Sequence, residues 1–272
     1  MRQPSVAGAF YEAHPESLRA SIARCFLSER GPGELPSQSN MGSSRRIKGI
    51  VVPHAGYLYS GEIAAHAYLQ LWKDGLPDTI VVIGPNHYGT FPPVALSGED
   101  YVTPLGVAKV DATLSEELAG GPVMFSDISQ SAEHSIEVQL PFLQFLRKEI
   151  SFVPVCIGQQ DMEHAMLIGS RLSKSLAGRD AVIIASSDFS HYIPPDRARK
   201  KDILAIDRIV RLDFAGLYST VRAEDITMCG YGAVMAMLHA SGGTTGTVLS
   251  YGHSGEVQRM RDVVGYCSIK IE

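Results

Sequence analysis

Five short stretches of this chain carry continuous apolar cores: "IKGIVVP" (47–53), "DTIVVIG" (78–84), "ISFVPVCIG" (150–158), "DAVIIASS" (180–187) and "GTVLSYG" (246–252). A sixth, "VVGYCSIKI" (263–271), stands at the end. A strand with one wet face alternates apolar and polar residues. An unbroken Val- and Ile-rich run therefore reads as a strand covered on both faces. Such strands need one layer of structure above them and another below.

Helical patterns between the runs supply those layers. "SGEIAAHAYLQLWK" (60–73) spaces Ile63, Ala67 and Leu71 one helical turn apart, and "HSIEVQLPFLQFLRK" (134–148) behaves similarly. "MEHAMLIGSRLSKSLAG" (162–178) ends on Gly178 as a C-terminal stop. "PDRARKKDILAIDRIVRL" (195–212) is amphipathic with Pro near its start, and its basic run reads as a solvated face. The alternation predicts an α/β fold, a three-layer sandwich with a mainly parallel central sheet flanked by helices. No shift in composition divides residues 1–272, so one domain is expected. The Gly-, Pro- and Ser-rich segment 29–46 is expected to be a surface loop.

The charge balance, 24 Lys+Arg against 29 Asp+Glu, gives no electrostatic reason to expect nucleic acid or an anionic membrane as partner. No apolar run approaches the ~20 residues of a bilayer span. The opening "MRQPSVAGAFYEAHPES" is broken early by Glu12 and His14 and does not read as a signal peptide. Cys25, Cys156 and Cys267 are widely spaced in helix- or strand-like runs, which points to reduced thiols and a cytoplasmic location.

Three of the strands finish in a turn that bears histidine: "VVPHAG" with His54, "IGPNHYG" with His87, and "SSDFSHY" with Asp188 and His191. Ligands of open α/β sheets gather beyond the carboxyl ends of the strands. If these strands are parallel, the three turns share one edge, and distant histidines converge there. His66 and His239 fall inside helical patterns, His14 and His164 in polar surroundings; these four are read as structural.

Cys229, in "DITMCGYGAVMAMLHA", falls at or near a helix N-terminus, where the dipole favours thiolate. Two imidazoles and one thiolate would leave open positions on a metal, as catalytic sites do. That donor set accepts Fe(II), copper or zinc. "SAEHSIEVQLPF" adds His134 and Glu137, expected on one helix face, with Glu133 adjacent. Ser186, Asp188 and His191 crowd one turn too closely for a hydrolase relay. Asp188 reads instead as a partner that orients a histidine. Phosphate-loop and dinucleotide fingerprints are absent.

In order, "VAGAFY", "VVPHAGYLYSG", "IGPNHYG", "EHSIEVQLPFL", "VPVCIG", "SSDFSHY" and "CGYGAV" resemble the Memo family, also known as protein B of the AmmeMemoRadiSam system. The resemblance runs from about Gln3 to Ile271. It implies a fold similar to the class III extradiol (LigB-type) dioxygenases, which open catechol rings with non-heme Fe(II). Under that relationship His54 and His87 match metal ligands, His191 an acid/base on the open side of the metal, and His134 a further pocket histidine. Cys229 stands where the dioxygenases supply a carboxylate, a softer and oxidisable donor that favours copper or zinc more than theirs does.

The leading expectation is therefore a dioxygenase-like, metal-dependent oxidoreductase. His54, His87 and Cys229 would hold a divalent metal, Fe(II) first and copper or zinc as competitors. His191 and His134 would handle protons, with Asp188 fixing geometry. The alternative is a binding or adaptor protein that keeps the pocket without turnover and takes a small molecule or peptide, with Tyr57, Tyr59, Tyr88, Tyr192 and Tyr231 near the site. Zinc-assisted hydrolysis ranks third. The family name also implies association with a radical-SAM protein.

Overall fold

The structure, a computed structural model, describes residues 1–37 and 45–272. Its frame is an eleven-stranded mixed sheet among those residues. The strands are β1 (Gly49–Val52), β2 (Thr79–Pro85), β3 (Val94–Leu96), β4 (Tyr101–Thr103), β5 (Gly106–Val110) and β6 (Val123–Phe125), followed by β7 (Ser151–Ile157), β8 (Ala181–Ser186), β9 (His191–Ile193), β10 (Gly246–His253) and β11 (Val263–Ile271). The main path runs β10-β11-β1-β8-β2-β7-β3-β6. Its centre is parallel: β1 with β8, β8 with β2, and β2 with β7. Antiparallel neighbours flank that centre, β11 on one side and β3 on the other.

The helices are α1 (Pro15–Leu27), α2 (Tyr57–Asp74), α3 (Ala112–Leu118), α4 (Asp127–Gln130), α5 (Leu140–Leu146), α6 (Met162–Ser175), α7 (Pro195–Val210), α8 (Phe214–Ala223) and α9 (Tyr231–Ser241). They build one core on each face of the sheet. Leu18 and Phe26 of α1, Tyr68 and Leu71 of α2 and Phe142 of α5 pack with Ile50, Val52 and Val82. On the other face Ile168 of α6, Ile209 of α7, Leu217 of α8 and Val234 of α9 pack with Val51, Val81 and Ile83. Successive strand residues thus enter opposite cores, which is why β1, β2 and β8 are apolar at every position except Thr79 and Ser186, at strand ends.

Two expectations are corrected. Residues 246–252 do form a strand, but β10 is the edge of the sheet, pairs antiparallel with β11 and is largely half-buried. The helix expected over 134–148 is α-helical only from Leu140, after a 3-10 turn at Glu137–Gln139. Pro141 explains the late start, because its ring would clash with the carbonyl of residue 137 in a continuous helix. His134 accordingly lies in irregular backbone just before the turn at Ser135–Ile136, and no shared helix face joins it to Glu137. The centre of the 29–46 loop, residues 38–44, lies outside the described residues. Arg45, just after it, is tied to Asp180 at 2.8 Å.

Glu137 has a different partner. Its buried carboxylate pairs with the buried Arg2 guanidinium at 2.8 Å and accepts from the Tyr11 hydroxyl at 2.6 Å. It also accepts from the Ser5 and Val6 backbone N–H groups. Arg2 reaches on to the carbonyls of Gln130 (2.7 Å) and Glu133 (2.6 Å). The N-terminal segment is thereby bolted to the loop that carries Glu133 and His134.

Candidate metal centre

Because β1, β2 and β8 are parallel, their C-terminal turns open on one edge. His54 follows β1, His87 follows β2, and Asp188 follows β8. Cys229 arrives from a different direction, immediately before Gly230, the N-cap of α9. Gly230 permits the approach: a Cβ there would lie 2.3 Å from the Ser186 carbonyl oxygen. The donor atoms of His54, His87 and Cys229 all lie within 4.8 Å of one another.

The His54 ring is fixed by a buried relay. The Tyr68 hydroxyl donates to Gln139 Oε1 at 2.8 Å, so Gln139 Nε2 is free to donate to the Pro53 carbonyl and to Ser186 Oγ. Ser186 spends its single proton on the Ser135 carbonyl at 2.7 Å. It can then only accept from His54 Nδ1, 2.8 Å away. The proton of His54 is therefore on Nδ1, and Nε2 presents a lone pair to the site, 3.2 Å from Cys229 Sγ. Burial, reinforced by His134, His87 and His191, holds this imidazole well below its ordinary pKa, so the ring is neutral.

His87 is held differently. The Glu133 carboxylate accepts its backbone N–H at 2.6 Å and faces Nδ1 at 3.0 Å, again leaving Nε2 for the site. Burial alone would raise the Glu133 pKa, but the hydrogen bond and charge of His87 outweigh it and bring the group to about 2. Burial likewise opposes the charged form of His87, yet Glu133 prevails and raises the imidazole pKa. Donor atoms of His87, Glu133 and His134 also lie within 4.8 Å of one another. In that group the Glu133 oxygens are already engaged by His87 and by the Ser135 N–H.

The Cys229 thiol departs from expectation. It does precede a helix N-terminus, but burial first and the Asp188 carboxylate second push its pKa well above the ordinary thiol value. Here desolvation outweighs the dipole. Gln160 clamps the turn, donating to the Cys229 carbonyl at 2.6 Å and accepting from Gly232 N–H at 2.9 Å. Asp188 also departs. Its buried carboxylate accepts the backbone N–H of His54 at 2.8 Å and touches no imidazole nitrogen through a hydrogen bond among the described residues. It fixes the His54 turn rather than a ring. Its own N–H points at Cys229 Sγ, 3.2 Å away.

His191 begins β9, where Nδ1 donates to the carbonyls of Phe189 (2.7 Å) and Thr227 (2.8 Å). The lone pair of Nε2 remains available on the cavity wall. His134 stacks on His87 with ring centroids 4.7 Å apart and meets Phe10 edge to face. Burial lowers its pKa, and its Nδ1 has no hydrogen-bond partner among the described residues. These groups line a cavity of about 600 Å³.

Of the five tyrosines expected near the site, Tyr59 and Tyr192 line this cavity. Tyr57 is buried with its hydroxyl on the Val138 carbonyl, Tyr231 packs on Tyr218, and Tyr88 is exposed outside the lining. His66, His164 and His239 make local hydrogen bonds to Arg30, Asp161 and Ser170, as structural histidines do. Sequence reading missed Phe10, Ser186 as the group that orients the His54 ring, Gln139 and the full part of Glu133. Only Glu133 carried a signal, its place beside His134.

Comparison with known proteins identifies the family of the chain. The family model described as Memo-like protein matches residues 2–270. A MEMO1 family protein of Methanothermobacter thermautotrophicus is 44% identical over 278 residues, 99% of each chain. One from Methanosarcina acetivorans is 43% identical over all of this chain and 99% of its own. Another, from Sulfolobus acidocaldarius, is 42% identical over 99% of both chains. An uncharacterised protein of Escherichia coli K12 has a similar fold, with TM-score 0.53 and 16% identity over 84% of this chain and 100% of its own.

Proposed function

The chain belongs to the Memo family, and on that premise we propose that it is a dioxygenase-like, metal-dependent oxidoreductase. The observation that carries the proposal is the convergence of His54, His87 and Cys229, with donor atoms within 4.8 Å of one another. Their fit to a metal rests on the two relays: each imidazole is held through Nδ1, so each offers Nε2 inward. Three ligands leave open positions, the mark of a working rather than a structural centre. Fe(II) is the first assignment, with copper and zinc as competitors for a donor set that includes sulfur. A redox-active divalent metal would supply a Lewis acid and electron exchange with O₂.

The remaining chemistry belongs to the chain. Nε2 of His191, left as an acceptor by the two carbonyls on Nδ1, takes a proton from a substrate hydroxyl. His134, neutral and stacked on His87, orients an oxygen-bearing substrate. Asp188 and Gln160 keep the His54 and Cys229 turns in register. The ligand is a small molecule or a peptide segment, the setting is the cytoplasm, and a radical-SAM protein is the associated partner.

The test is O₂ uptake by metal-loaded protein across a panel of aromatic diols. Uptake with product formation, abolished in His54→Ala and strongly slowed in His191→Ala, supports the proposal. No turnover with any redox metal contradicts it. The apolar side of the cavity, with Phe10, Tyr59 and Val264, favours a second reading, a binding protein without turnover. Ligand affinity unchanged by metal removal would select that reading.

A further inference from the structure

Strand β9 carries a β-bulge at the cavity. Val263 pairs with Ile193 but Val264 pairs with His191, so Tyr192 is the extra residue, without a partner across the ladder. Its φ is +55°, in the left-handed region. A bulge residue in that region is ordinarily glycine, because a Cβ there crowds the following carbonyl. Tyrosine carries this strain with little return from packing, since Tyr192 is 78% exposed. Among the described residues its ring pairs with that of His191, edge to face, with centroids 5.8 Å apart.

Strain kept beside a cavity commonly re-aims a side chain for use. Phe10, Tyr59 and Tyr192 line this cavity, so it offers three aromatic side chains besides its histidines, and of these Tyr192 alone is set on a bulge. The lining holds no lysine or arginine among the described residues, and it does hold the Asp188 carboxylate. An acidic substituent directed away from the histidines would lose water and meet no cation.

We propose that Tyr192 is the specificity-determining residue of this cavity: the bulge presents its ring as a stacking face for a flat aromatic ligand without acidic substituents. The proposal rests on reading the cavity as a ligand site and does not require the metal. Stacking on Tyr192 would offset the cost of its left-handed backbone.

The test is titration calorimetry on metal-free full-length protein with 2-naphthol and 2-naphthoate as probes, followed by thermal melting. Wild type is expected to bind 2-naphthol, and 2-naphthoate about tenfold or more weakly. Tyr192→Phe keeps that affinity. Tyr192→Gly and Tyr192→Asn, which tolerate the left-handed region but lack the ring, lose roughly two- to tenfold. Their Tm is unchanged or higher. Equal 2-naphthol affinity in the Gly and Asn variants, tighter 2-naphthoate binding, no wild-type binding of either probe, or a clear fall in Tm would each overturn the proposal. Metal binding is measured separately, so its failure leaves these outcomes readable.

Discussion

The sulfur of Cys229 lies 3.2 Å from Nε2 of His54, although 175 positions separate the two residues. The contact joins the end of β1 to the start of α9, and both partners are held by groups that are not themselves donors to the site. Much of what can be tested concerns those holding groups.

Ser186 is the first. Its hydroxyl oxygen fixes the tautomer of His54 and also accepts a hydrogen bond from Gln139 Nε2. Ser186→Ala leaves both buried donors unmatched, at a cost of about 1–3 kcal/mol for each group left unsatisfied. Metal affinity should fall on the order of 10–100-fold, since His54 loses its orientation. Urea unfolding and competitive metal titration check the two effects, and unchanged affinity would contradict the relay.

Glu133 sets an acid limit on stability. Its folded pKa is held at about 2 against an ordinary 4.5. A depressed carboxylate stabilises the fold above its unfolded pKa, and that contribution is lost as pH falls from about 4.5 toward 2. Glu133→Gln should flatten this limb of the stability–pH curve. It should also loosen His87 and weaken metal binding on the order of tenfold or more. Denaturation series between pH 3 and 7 on both proteins would reveal a difference, and parallel curves would refute it.

Metal binding should release protons. The imidazole of His87 and the thiol of Cys229 both have raised pKa values, so each can carry a proton that a metal must displace. Affinity is then expected to rise with pH through neutrality, with about one to two protons leaving per ion. Calorimetry in buffers of different ionisation enthalpy counts them. No net release would mean that one of these donors is not a ligand.

The Arg2–Glu137 pair anchors the loop of the site from the far side, with side chains 4% and 0% exposed. Removing one partner strands a buried charge, so Arg2→Met should cost about 3–5 kcal/mol. Arg2→Met with Glu137→Gln should recover part of that loss. Chemical denaturation of the single and double variants distinguishes a true pair from two independent contacts.

The sequence exposed the central strands because buried parallel strands carry long apolar runs, as β1, β2 and β8 do between their ends. It exposed His54, His87 and Asp188 because each lies two residues beyond the end of such a strand. Short strands such as β3, β4 and β6, three residues each, leave too little pattern to read. The helix expected over His134 does not form for a local reason: Pro141 delays the α-helix to Leu140. Glu133 and Ser186 were harder: each serves a histidine 46 or 132 positions away, and only the folded sheet edge brings them together. The state of Cys229 depended on desolvation, which no local motif encodes.

The central claim is that His54, His87 and Cys229 together hold one metal ion. Its most direct test is elemental analysis of untagged protein purified anaerobically, wild type beside Cys229→Ser. The account predicts about one equivalent of a divalent metal, iron first, in the wild type, lost or sharply reduced in the variant. A wild type that holds no metal and takes up neither Fe(II), copper nor zinc would contradict it.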